Sequence, residues 1–395
     1  MSKVIAVGCG RYDLAAVTIK LEAALEALGG IHHLIPRGSR VFLKVNLLTG
    51  RPPEEAVTTH PVVVQAVAAL LKDAGMEVVI GDSPAGPFTA VRMRQIYRVT
   101  GMEAAAAAAG VFLNENLEAA MISHPQAHRL KQFEMLTAVQ EADAVISLCK
   151  MKTHSMTLMT GAVKNLFGVM PGLTKAALHF RFPQLADFAH AMVDICEKVN
   201  PVLSIMDGIE GMEGAGPSAG TVTPAGVLLL STNPHQLDLA AARWMGISPD
   251  LVPLLEAARE RGLYHPGDAA TVPYGGPMTT QWVGLTPEAA AVKPFQIPAI
   301  HEPDFLRRYQ QVPLLGPGLA AVSNRWLRPR PVVIAETCIG CGECRIICPA
   351  EAITMVNRRP EFNLDKCIRC FCCQEICPAK AIEIYRSPLL KKITP

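Results

Sequence analysis

Aromatic residues are scarce, at 5% of 395 positions. A chain so poor in rings offers little surface for stacking bases, which argues against single-stranded nucleic acid as a partner. An excess of one charge is also missing. Lys and Arg number 37 against 35 Asp and Glu, a net of +2. That balance leaves no electrostatic footprint for DNA or RNA. No apolar run approaches the roughly 20 residues of a membrane helix. The longest, Ala104 to Leu113, is short and contains Gly110. Met1-Ser2-Lys3 leads straight into Val4-Ile5-Ala6-Val7, with no signal-peptide stretch and no twin-arginine leader. The expectation is a soluble cytoplasmic protein. G-x4-G-K-[ST] occurs nowhere. Gly8-Cys-Gly10-Arg-Tyr-Asp13 lacks the third glycine of the dinucleotide fingerprint. NAD binding is not expected from it, and no motif asks for a flavin.

What is present is apolar and patterned. Half the residues are hydrophobic and 18% are charged, enough for a sizeable core. The length suggests two or three domains, at roughly 150 residues each. Apolar β-branched runs read as strands at Lys3–Cys9, Arg40–Leu48, Glu77–Gly81, Ala144–Cys149, Val202–Met206 and Gly226–Leu230. Helical periodicity lies between most of them. Val63, Ala66, Val67, Leu70, Leu71 and Ala74 share one face, with Pro61 at the first turn and Gly75 as the stop. Leu185, Phe188, Met192, Ile195 and Val199 mark a second helix that ends before Pro201. Such alternation predicts an α/β fold, a mostly parallel sheet with flanking helices. Beyond Gly262 proline recurs. A late strand is expected near Thr279–Leu285, a short helix near Leu319–Leu327, and otherwise an extended arm.

Twelve cysteines occur, nine of them between Cys338 and Cys377. That is a local metal-binding density, not a disulfide framework. Cys338-Ile-Gly-Cys-Gly-Glu-Cys-Arg-Ile-Ile-Cys-Pro returns 29 residues later as Cys367-Ile-Arg-Cys-Phe-Cys-Cys-Gln-Glu-Ile-Cys-Pro. Each copy has the spacing C-x2-C-x2-C-x3-C-P, the bacterial ferredoxin run, in which the fourth cysteine crosses to the other cluster. Two 4Fe-4S clusters are therefore expected. Cys338, Cys341, Cys344 and Cys377 would hold one; Cys367, Cys370, Cys373 and Cys348 would hold the other. A pair of zinc sites is the competing reading, but zinc prefers four ligands as two C-x2-4-C pairs. Gly340 and Gly342 have Arg369 and Phe371 at the matching positions, so the two clusters should differ in environment. Cys372 is extra and reads as a buried thiol beside a cluster. Cys9, Cys149 and Cys196 read as core thiols. Residues 331–395 hold nine Lys/Arg and seven Asp/Glu, leaving 28 of each before them. Without an acidic steering face, a tethered relay fits better than a free shuttle.

Open α/β sheets bind ligands beyond the carboxyl ends of their strands. At those ends stand Lys44 and Asn46, then Asp82-Ser83-Pro84, then Lys150, Lys152 and His154 with period two, then Asp207. Lys164 and Asn165 follow soon after His154. Lys44, Asn46, Asp82, Lys150, Lys152, Lys164 and Asn165 are the expected substrate-binding set for a phosphate or carboxylate. His154 and Asp207 are the expected catalytic pair for proton transfer. His179 and His190 are less persuasive. The run Gly208 to Gly220 reads as a flexible pocket loop.

Two resemblances carry further expectations. The cysteine repeat resembles two-cluster ferredoxins over about residues 332–386, which implies one-electron transfer and a small α+β iron–sulfur domain. Lys44-Val-Asn46, Thr59-His-Pro61, Lys150-Met-Lys152-Thr-His154, Thr160-Gly-Ala-Val-Lys164-Asn165-Leu-Phe-Gly168 and Asp207-Gly-Ile-Glu-Gly-Met-Glu-Gly-Ala-Gly-Pro resemble the domain-of-unknown-function 362 family. Many of its members carry an appended two-cluster ferredoxin module. The expected division is 1–300 for the α/β domain, 301–331 for a proline-rich arm and 332–386 for the ferredoxin domain. Two functions compete. One is an iron–sulfur oxidoreductase acting on a small anionic substrate or cofactor. The other is an electron-transfer subunit relaying to a redox partner protein, with no chemistry of its own.

Overall fold

The computed structural model describes residues 4–265, 281–283, 294–298 and 328–386. The expected helix near Leu319–Leu327 and nearly all of the 301–331 arm lie outside them.

The strands of the large sheet are β1 (Val4–Gly8), β2 (Arg40–Lys44), β3 (Glu77–Gly81) and β4 (Phe112–Leu113). A small hairpin of β5 (Ala119–Ser123) and β6 (Gln132–Leu136) intervenes. The sheet resumes with β7 (Ala144–His154), β8 (Leu158–Thr160), β9 (Leu203–Glu213), β10 (Thr221–Ser231) and β11 (Gln281–Val283). Its order is β11-β1-β10-β9-β7-β2-β3-β4, with β8 paired to β7. Only β10 and β8 run antiparallel to their neighbours. The fold is thus α/β with a mostly parallel sheet, as the alternation predicts.

Alternate residues of β7 supply two cores, because successive side chains of a strand point to opposite faces. Val145, Cys149 and Met151 join the helices Leu185–Val199, Pro234–Trp244 and Pro253–Glu260. Ile146 and Leu148 join the helices Leu14–Ala27, Pro61–Asp73 and Met102–Ala109. The Pro61–Asp73 helix buries Val63, Val67 and Leu71 on this second face, each contributing about 1.5–3 kcal/mol. His60 caps it through Nδ1, which accepts from Val62 N. The Leu185–Val199 helix ends where Pro201 forbids continuation.

Three strands exceed their sequence boundaries, β10 by starting early at Thr221. β7 continues to His154 and β9 to Glu213, so Lys150, Lys152 and Asp207 lie within strands rather than after them. The Gly208–Gly220 run is accordingly not all loop. Its first half is strand, and a tight connection from Gly214 to Gly220 leads into β10. Gly211 there serves packing, since a Cβ on it would strike Phe295. Every residue of β7 is buried, which explains why its polar residues must find partners inside the protein.

The C-terminal module is small and α+β. Strands β12 (Arg330–Val333) and β15 (Ile382–Tyr385) pair, as do β13 (Ile353–Val356) and β14 (Arg359–Phe362). Helices Glu343–Ile347 and Cys372–Ile376 carry the repeats. The module sits against the α/β domain. Arg92 pairs with Glu343 at 3.0 Å, Lys380 with Glu55 at 2.8 Å, and Arg51 donates to the Cys377 carbonyl at 2.8 Å. Between them Ile347, Cys372 and Ile376 pack with Ala85 and Ala176.

Candidate functional site

The module holds two small cavities. One is lined by Cys338, Cys341, Cys344 and Cys377. The other is lined by Cys348, Cys367, Cys370 and Cys373, with Cys372 at its edge. These are the two crossed sets that the spacing calls for. Pseudo-symmetry extends to the backbone. Gly340 and Gly342 have φ of 68° and 77°, and Arg369 and Phe371 copy them at 59° and 60°. A non-glycine residue there carries strain of about 1–2 kcal/mol. Gly340 has no choice, since a Cβ would run into the Arg358 carbonyl. Ala352 N and Ala381 N, 29 residues apart as the repeat demands, donate to Sγ of Cys348 and Cys377. None of the twelve cysteines is engaged in a disulfide. Four convergent thiols per cavity, one of them in each accepting from a backbone amide, fit a thiolate-held 4Fe-4S cluster.

A third cavity of about 80 Å³ opens where the α/β domain meets this module. That is room for a few water-sized groups, hence for a small molecule. Its walls include Asn46, Asp82, Lys152, His154, Lys164 and Asn165 from the expected set. Ser83, Phe167, Lys175 and His179 join them from the α/β domain, and Ile347, Cys372 and Glu375 from the module.

The floor is a buried polar lattice. Lys44 pairs with Asp82 at 2.7 Å, both side chains almost wholly buried. Asn165 ties the pair down: Oδ1 accepts from Lys44 Nζ and Asn46 Nδ2, and Nδ2 donates to the Lys44 carbonyl and Ser147 Oγ. Asp82 also accepts from Leu47 N at 2.7 Å. Gly168 makes room for this arrangement, because a Cβ would collide with Asp82 Oδ1 and the Lys44 ammonium.

The walls are cationic. Lys152 donates to Asn46 Oδ1 at 2.7 Å and to the Val57 carbonyl at 2.6 Å. Burial brings its pKa down to about 7. Lys175 donates to both oxygens of Ser83 and to the Met170 carbonyl, and burial likewise brings it to about 7. Lys164 stands over the rings of Phe167 and Phe188, at 5.1 and 5.8 Å from their centroids. Its ammonium has no hydrogen-bond acceptor among the described residues. His179 stacks on Phe188 at 4.3 Å, and its Nδ1 is buried without a partner. Burial, with Lys164 nearby, pushes its pKa to about 3, so the ring is neutral.

His154 faces the module. Its Nδ1 accepts from Met156 N at 2.9 Å and Thr157 N at 3.3 Å, so the ring proton belongs on Nε2. Nε2 lies 3.2 Å from Glu375 Oε1. Burial lowers the His154 pKa, and Lys164 lowers it further. Burial alone would raise Glu375, but its neighbours His154 and Lys164 outweigh it and hold the carboxyl below its ordinary value. Glu375 thus faces His154 at 3.2 Å, without an aligned hydrogen bond between them.

Lys44, Lys150 and Asp207 do not line this cavity. Lys44 lies beneath it in the Asp82 pair. Lys150 and Asp207 form a separate closed cluster: Lys150 Nζ reaches Asp207 Oδ2 at 2.9 Å and Tyr12 Oη at 2.7 Å. Tyr12 donates to Asp207 Oδ1, and His60 N donates to Oδ2. The His60 ring stacks on Tyr12 at 3.5 Å. The β7–β9 register shifts between Lys150 and Lys152, so the two lysines serve different clusters despite their period-two spacing. Sequence reasoning passed over Lys175, His179, Glu375 and the cavity-facing position of Cys372. One signal was available for Glu375. Where the first repeat has the half-exposed Ile346, the second has this buried acid.

Residues 41–243 match a family model described as a domain of unknown function, DUF362. Residues 330–378 match a 4Fe-4S dicluster domain. The C-terminal module is accordingly a 4Fe-4S-binding unit with an iron–sulfur electron-transfer role. Thylakoid-associated protein sll1697 of Synechocystis sp. is 32% identical over 274 residues, which are 67% of this chain and 81% of that protein. The lactate racemase apoprotein of Thermoanaerobacterium thermosaccharolyticum aligns with TM-score 0.39 and 14% identity, over 61% of this chain and 56% of that one.

Proposed function

This chain belongs to the DUF362 family, and on that footing we propose that it is a two-cluster iron–sulfur oxidoreductase acting on a small anion in the cleft. Bound 4Fe-4S clusters supply one-electron transfer. Cys338, Cys341, Cys344 and Cys377 hold one; Cys348, Cys367, Cys370 and Cys373 hold the other. Lys164, whose pKa burial lowers and whose amino group has no acceptor among the described residues, binds the anion in its protonated form, and His179 Nδ1 offers a further polar contact. Lys152 and Lys175, poised near neutrality, are matched to give or take a proton. Lys44, Asn46, Asp82 and Asn165 fix the positions of those groups. His154 orients Glu375 rather than acting alone. Asp207 and Lys150 brace β7 against β9, away from the cleft.

One observation carries this reading. Cys372 and Glu375 of the iron–sulfur module line the same cavity as Lys152, Lys164 and His154 of the α/β domain. A pure relay has no need of a cationic cleft closed by its own cluster-binding helix. Among the described residues no helix is long and apolar enough to cross a membrane.

The test uses full-length protein reconstituted anaerobically. About eight irons per chain and two interacting paramagnets on reduction are expected. Sulfate and acetate are then titrated calorimetrically against the wild type and Lys164→Ala. Bound zinc without a reduced-state signal overturns the clusters. Absence of binding by either anion, or binding indifferent to Lys164, overturns the cleft.

A further inference from the structure

The two cysteine cages are not equivalent with respect to the cleft. Cys372, which the motif leaves without a ligand role, lines both the cleft and the cavity of Cys348, Cys367, Cys370 and Cys373. Cys370 packs with Cys372, Ile347, Ala85 and Ala176 at the domain junction. None of the eight motif cysteines lines the cleft itself; the link runs through Cys372, which is absent from the lining of the other cage. That cage meets the α/β domain through the Cys377 carbonyl, held by Arg51. Its Cys341 is exposed, and the adjoining Ile339 is 59% exposed. Phe371, 4% exposed, covers the inner cage at the place where the outer one has only Gly342.

We infer that only the Cys348/Cys367/Cys370/Cys373 cage is coupled to the cleft, so that an anion bound there tunes the reduction potential of that cluster and leaves the other unmoved. The inference rests on the anion cleft proposed above. Its physical basis is dielectric. Charges separated by one layer of buried side chains interact strongly, whereas those reached through water are screened. Glu375, Cys372 and Lys164 form that buried layer for the inner cage. Solvent bathes the outer one at Cys341. Negative charge added to the cleft disfavours adding an electron nearby, so the coupled potential falls. Loss of the Glu375 charge works the other way.

The experiment is a redox titration of the reconstituted full chain followed by electron paramagnetic resonance, with and without saturating sulfate or acetate, whichever binds more tightly. One of the two midpoint potentials should fall. Cys341→Ser should perturb the signal that does not respond to the anion. Glu375→Gln, which leaves every ligand in place, should raise the potential of the responsive signal alone. Should the anion bind while both potentials move together, or neither moves, or the signal perturbed by Cys341→Ser is the responsive one, the inference falls and the cleft stands. Should neither anion bind at all, the functional proposal itself fails and takes the inference with it.

Discussion

His154 and Glu375 lie far apart in the chain and meet at 3.2 Å. The contact joins the end of β7, in the α/β domain, to the helix that carries Cys372 and Cys373. Beside it Ser155 donates to Gln374 Oε1, and Gln374 Nε2 donates to the Ala215 carbonyl. Buried polar groups of this kind hold only when each finds its partner. The junction therefore fixes both the cleft wall and the seating of the module.

Cysteine substitutions should separate ligand from bystander. Cys370→Ser is expected to lose about half the iron of the reconstituted protein, while Cys372→Ser keeps about eight irons per chain. Iron and acid-labile sulfide analysis reads this directly. Equal losses in the two variants would assign Cys372 a ligand role.

The Lys44–Asp82 pair should be costly to break from one side. Lys44→Met leaves a buried carboxylate unpaired and is expected to destabilise by about 3–5 kcal/mol. Lys44→Met/Asp82→Leu should recover much of that, because neither charge is then stranded. Chemical denaturation of the variants, compared with wild type, checks the sign of the coupling.

Gly168→Ala should be harmful out of proportion to its size. The added methyl meets the buried ion pair rather than a flexible chain end. Overpacking of this kind costs about 1–3 kcal/mol. Anion affinity should fall with stability, since the floor of the cleft must shift. A fully stable variant with unchanged anion binding would contradict the packing described.

Anion binding should weaken as pH rises through about 7. Lys152 and Lys175 are lowered to that value by burial, so above it the cleft loses positive charge. Their effect on stability has the opposite slope. Between about 7 and the unfolded lysine value near 10.5, the unfolded chain holds more protons than the folded one. Stability from these groups therefore rises with pH across that window. Sulfate keeps its charge throughout, so calorimetric titration from pH 6 to 9 isolates the lysines. Affinity that is flat across that range would remove them from the site.

Much of this was legible in the chain alone. The cysteine spacing by itself named two sets of four, because the cluster motif is local and the crossing of its fourth ligand follows from the repeat. The alternation of β-branched and helical runs determined the α/β class, because side-chain period reports directly on which faces are buried. The strand-end residues were legible as a group but not as a site. Period two placed Lys150 with Lys152, and only the irregular β7–β9 pairing assigned them to separate clusters. His179 was unpersuasive in the sequence, and only packing turned it, its Nδ1 unpartnered, into the cleft. Glu375 lies far from the other cleft residues in sequence, and no local pattern could relate it to His154. Long-range docking decided that pairing: burying a cationic cleft requires a compensating carboxylate, and the only way to know which one is to see which surface closes over it.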